Sequence, residues 1–90
     1  MLVEDEVVHW WKDEKGAQHR TMLRIERNDA TEYKGFPRDG NVTVRISNST
    51  GQQAIRLSPD EALRVSTQLL AVSKEILNQK RRLWQSHEGY

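Results

Sequence analysis

At Ser58-Pro59 the chain changes its hydrophobic period, and this change limits the fold more than any other feature. Upstream, Asn41 to Asn48 alternates without a fault: Val42, Val44 and Ile46 fall on one side, Thr43, Arg45 and Ser47 on the other. That is the period of a half-buried strand. Downstream, Ala62, Val65, Leu69, Val72, Ile76 and Leu83 recur at helical spacing, with Gln79 the one break. Leu63, Leu70, Leu77 and Trp84 make a second row that repeats every seven residues, so the apolar face is wide. Ser58 occupies the N-cap, Pro59 the first helical position, and Glu61 lies three residues after the serine. The serine oxygen can take an amide hydrogen while the glutamate reaches back, the arrangement of a capping box. Acids in the first turn and Lys80-Arg81-Arg82 near the end both suit the helix dipole. The spacing predicts a helix over 59–84 and a frayed polar tail over 85–90.

Before the switch, the chain reads as strands. Glu6 to Lys12 is β-branched and aromatic, Asp13-Glu14-Lys15-Gly16 is a turn cluster, and Gln18 to Arg27 alternates again. Two such runs around a short glycine-containing loop predict a hairpin. Residues 28–40 hold Asn28-Asp29, Gly35, Pro37 and Asp39-Gly40, a loop by composition. Tyr33 and Phe36 within it are expected to fold back onto the core. Gln52 to Leu57 is a short strand with Ile55 and Leu57 inward, Ala54 and Arg56 outward. Four strands joined up and down imply an antiparallel sheet. The expected fold is α+β in one domain over 1–90: a four-stranded sheet over about 6–57, followed by one long C-terminal helix packed on one face.

Length adds a partner. A helix from Pro59 to Trp84 spans roughly 39 Å, and strands of six to eight residues span only roughly 20–27 Å. The uncovered turns predict a homodimer through Leu70, Leu77, Leu83 and Trp84.

The face of the sheet away from the helix is the candidate site. Alternation places Arg20, Met22, Arg24, Glu26, Thr43, Arg45, Ser47, Ala54 and Arg56 there. The first strand adds either Val7, His9 and Trp11 or Val8, Trp10 and Lys12. Whichever of Trp10 and Trp11 faces outward stands beside arginines. Unpaired bases stack on aromatic rings, and guanidinium groups pair with phosphates and stack on bases. Trp10 or Trp11 with Arg20, Arg24, Arg45 and Arg56 therefore predicts a surface for single-stranded DNA or RNA. The other reading is a protein-interaction module or small regulator, because Trp and Arg also dominate protein hot spots.

The strand-to-helix junction Ile55-Arg56-Leu57-Ser58-Pro59-Asp60-Glu61 resembles that of the positive cofactor four coactivator family. With the Pur-alpha-like repeats, that family belongs to the Whirly-like single-stranded nucleic-acid binders. The resemblance in pattern covers roughly residues 6–78. It implies single-strand binding on the exposed sheet of a dimer, with Arg45 and Arg56 as sheet contacts.

Composition bounds the alternatives. Fourteen basic and 13 acidic side chains give a net charge of +1, and residues 1–57 balance at nine each. A positive surface must then come from local sorting of charge. With no cysteine there is no disulfide and no thiolate metal site. His9, His19 and His87 are the only histidines, too few for a metal centre without carboxylate help. No glycine-rich phosphate loop and no Ser/His/Asp set is present. The carboxylates of Glu4-Asp5-Glu6 and Asp13-Glu14 read as mobile and solubilising. We expect no enzyme and no cofactor. No apolar run reaches membrane-spanning length, and the acidic start is unlike a signal peptide, so a cytoplasmic protein with no membrane partner is expected.

Overall fold

The computed structural model describes residues 1–88 as two compact units, Met1–Asp60 and the segment from Glu61 onward. Its elements are β1 (Leu2–Lys12), β2 (Gln18–Asn28), β3 (Thr31–Tyr33), β4 (Phe36–Arg38), β5 (Asn41–Asn48), β6 (Gly51–Leu57) and α1 (Pro59–Glu88). Four of the strands form one antiparallel sheet in the order β1-β2-β5-β6. The chain is thus α+β, a four-stranded antiparallel sheet followed by one long helix.

The β1–β2 hairpin is closed by its own side chains. The Asp13 carboxylate accepts the backbone N–H groups of Lys15 and Ala17, each at 2.9 Å, through one oxygen. Its other oxygen lies 2.8 Å from His19 Nε2. The His19 hydrogen bond, then the Ala17 amide, hold the Asp13 carboxyl below its ordinary value of 3.8. His19 in turn stacks on Trp11, centroids 4.5 Å apart, and the Trp11 indole N–H donates to Thr21 Oγ1 at 3.2 Å.

Residues 28–40 are more ordered than a loop. β3 and β4 pair into a separate two-stranded hairpin across Lys34-Gly35. Both turn residues have positive φ, 52° and 81°, as a two-residue type I′ turn requires. Tyr33 and Phe36 face each other across this hairpin and are exposed, not folded onto a core; Arg38 lies over the Tyr33 ring at 4.4 Å. At Gly40 a Cβ would run into the carbonyl of Asn28 and the amide nitrogen of Ala30, so glycine permits the return to β5.

Register confirms the two faces. Leu23 pairs with Ile46, Val42 with Leu57, and Ile25 with Val44, which itself pairs with Ile55. Opposite pairs share a face, so these residues form one apolar side. They do not form a closed core, however. No apolar side chain among the described residues is buried, and Ile46 and Ile55 are exposed. One sheet layer has no opposing layer within its own unit, so it cannot bury that side by itself. The buried side chains are instead Glu26 and Thr43, 3% and 7% exposed, on the polar side.

The N-terminal acids also differ from expectation. β1 begins at Leu2, not near Glu6, and its register shifts between Val3 and Asp5. Glu6 pairs with Arg24 at 2.8 Å and Glu4 with Arg27 at 3.0 Å. Those carboxylates sit on a strand because β2 supplies their counter-charges.

The helix is longer than predicted. At 30 residues it spans roughly 45 Å, and it runs through Gln85 and Ser86 where fraying was expected. Gly89 and Tyr90 of the expected tail, and the side chain of His87, lie outside the described residues. Arg82 pairs with Glu75 at 3.1 Å, tying the last turns together. β1 and β2 are also longer than expected, at 11 residues each, or roughly 37 Å. Leu70, Leu77, Leu83 and Trp84 are all exposed.

Candidate functional site

The register settles the phase of β1. Trp10 pairs with Arg20 and Val8 with Met22, which places Val8, Trp10 and Lys12 on the arginine side. Trp10 is 58% exposed, and the Arg20 guanidinium lies 6.0 Å from the centre of its ring. Trp11 falls on the opposite side, committed to His19 and Thr21. Of the two tryptophans, only Trp10 joins Arg20, Arg24, Arg45 and Arg56.

The arginines are not equivalent. Arg24 and Arg45 are direct cross-strand neighbours, a repulsive placement for like charges. Each is compensated through its Nε: Arg24 by Glu6 at 2.8 Å, Arg45 by Glu26 at 2.7 Å. Among the described residues Arg56 makes no hydrogen bond or ion pair, and Arg20 meets only the Trp10 ring. Lys12, at the end of β1, has no ion pair within them either. This side of the sheet thus carries five cations against two carboxylates, Glu6 and Glu26. A chain that is nearly neutral overall has sorted its charge onto one surface.

Two shallow grooves cross that surface. One, of about 240 Å³, is lined by Gln18, His19, Arg20 and Met22 of β2 and by Ser47, Asn48 and Ser49. The other, of about 350 Å³, is lined by Met1, Asn28, Thr43, Arg45, Ala54 and Arg56. Asn28 Nδ2 donates to Asn41 Oδ1 at 2.8 Å and lies 3.4 Å from Thr43 Oγ1, which fixes the amide at the groove's end. Alternation had put Glu26, Thr43 and Ala54 on this side. It carried no sign that the first two would be buried, because that depends on neighbours from three strands. Lys12 was named only as part of one of the two possible phases of the first strand, and Asn28 was read as the start of the loop, whereas it ends β2.

The arrangement can hold an anion by guanidinium hydrogen bonds and offer a flat ring for stacking. Among the described residues no three His, Asp or Glu side chains gather as metal ligands. No helix among them is long and apolar enough to cross a membrane. Comparison with protein-family models, with curated proteins and with solved structures finds no match for this chain.

Proposed function

We propose that the protein binds single-stranded DNA or RNA across the arginine side of its sheet, and that it does so as a homodimer. One observation carries the binding proposal: Lys12, Arg20 and Arg56, which have no carboxylate partner among the described residues, share a surface with exposed Trp10, while Arg24 and Arg45 are held by carboxylates. Stacking of one base on Trp10 contributes about 1–3 kcal/mol. Three phosphates neutralised by Lys12, Arg20 and Arg56 give a salt slope of about −2 for a single strand, or roughly a 20-fold loss between about 50 and 200 mM salt. A flat four-stranded face suits splayed bases better than a duplex groove. The resemblance of the β6–α1 junction to the Whirly-like binders points the same way. The homodimer is supported by the exposed Leu70, Leu77, Leu83 and Trp84 on the helix, since exposed apolar rows of this extent mark association surfaces. Both grooves are shallow and lined by groups suited to holding a ligand, so the reading is of a binding protein.

A protein-docking module is the second reading, favoured by the same exposed Trp10 beside Arg20. Fluorescence anisotropy of labelled single-stranded and duplex oligonucleotides at two salt concentrations separates the two. The nucleic-acid reading expects single strands to bind more tightly than duplex, with strong salt dependence. It also expects Arg45→Glu with Arg56→Glu to weaken binding at least tenfold. A double mutant that binds like wild type overturns it, and the docking module then leads.

A further inference from the structure

We infer that the groove between β5 and β6 seats one backbone phosphodiester, an inference that rests on the single-strand reading above. Two adjacent cross-strand pairs build it, Thr43 with Arg56 and Arg45 with Ala54. The four residues mark the corners of a square, with the two arginines on one diagonal. Diagonal neighbours on antiparallel strands stand roughly 7–8 Å apart at the backbone, close enough for both arginine side chains to line the same groove. Thr43 and Ala54 hold the other corners. Thr43 is 7% exposed and its oxygen faces the Asn28 amide at 3.4 Å, which leaves the hydroxyl hydrogen to donate. Ala54 is small enough to leave the groove open, whereas a branched side chain there would fill it.

Charge selects the ligand. Glu26, buried beside the groove, neutralises Arg45 at 2.7 Å, and Arg56 has no counter-ion among the described residues. The side chains of the seat therefore leave one uncompensated positive charge, that of Arg56, with Met1 also on the lining. An internal diester carries one negative charge and balances it. A terminal phosphate carries about −1.5 to −2 near neutral pH and brings surplus negative charge towards Glu26. The seat belongs to the interior of a strand, not to its phosphorylated end.

The test uses the full chain and two small probes, a thymidine dinucleotide with a single diester and inorganic phosphate, followed by NMR. A 12-nucleotide single strand is followed in parallel by anisotropy. Ala54→Leu fills the seat without changing charge, and Thr43→Val removes the hydroxyl at nearly constant volume. We expect the dinucleotide to shift the resonances of Thr43, Arg45, Ala54 and Arg56 more than inorganic phosphate does at equal concentration. We expect Ala54→Leu to abolish those shifts, to weaken the longer strand about five- to tenfold, and to flatten its salt slope by about 0.7. A longer strand that fails to bind, with the dinucleotide shifts still at these four residues, keeps the seat and removes the strand reading. Strand binding that falls with Arg45→Glu/Arg56→Glu but is unchanged in both Ala54→Leu and Thr43→Val removes the seat and keeps the strand reading. Inorganic phosphate matching the dinucleotide overturns the assignment to a diester.

Discussion

Glu26→Gln removes a negative charge at the most buried position on the arginine side, 3% exposed and 2.7 Å from Arg45 Nε. Unit charges at about 4 Å attract by about 4 kcal/mol at an effective dielectric of 20. The burial cost of the charged carboxylate offsets part of this. Glutamine keeps an acceptor oxygen, so the loss approaches that of a charge-assisted hydrogen bond, about 1.5–3 kcal/mol. The Arg45 side chain is 26% exposed, which screens the pair and brings the estimate to about 1–2 kcal/mol. For a domain of this size that lowers Tm by roughly 4–16 °C. The same substitution frees the Arg45 charge for phosphate. Single-strand affinity should rise about three- to tenfold at low salt, and the salt slope should steepen by about 0.7. Thermal melting by circular dichroism and anisotropy titration well below Tm, on one preparation, read both effects. Their opposite signs matter, since a variant that merely unfolds cannot bind more tightly. An unchanged Tm refutes the stabilising role of the Glu26–Arg45 pair. Unchanged or weaker binding by the folded variant refutes the view that carboxylates restrain this surface.

Asp13 titrates below its ordinary 3.8 in the folded chain because His19 and the Ala17 and Lys15 amides favour its ionised form. Its contribution is therefore present above about pH 4 and lost as pH falls through the lowered folded value. Wild type should lose the Trp11–His19 stack in that window, read from the Trp11 indole resonance, and Asp13→Asn should show no such acid step; identical acid profiles refute the link. Leu77→Asp places a charge in the exposed apolar row of α1 and should convert a dimer to a monomer by sedimentation equilibrium. An unchanged mass rules out the helix as the interface.

Two kinds of information separate in this chain. Asn41 to Asn48 showed its two faces by alternation alone, and Ser58-Pro59 marked the helix start to the residue. Both are local: a two-residue period and a cap depend on neighbours in sequence. The junction of Asp13 to Gly16 was likewise readable as a turn. The phase of β1 was not, since either Trp10 or Trp11 satisfies the local pattern, and one step of register exchanges them. Only pairing with β2 sends Trp10 to Arg20 and Trp11 to His19. Glu4 and Glu6 looked like solubilising charge because Arg27 and Arg24, their partners, lie on the neighbouring strand. The β3–β4 hairpin was hidden because Lys34, not glycine or asparagine, takes the first left-handed position of its turn. The burial of Glu26 and Thr43 and the square of Arg45, Ala54, Thr43 and Arg56 belong to tertiary structure too. Periodicity is a property of one stretch of chain; burial, ion pairing and the distance between two arginines are set by strands that meet only once the sheet has formed.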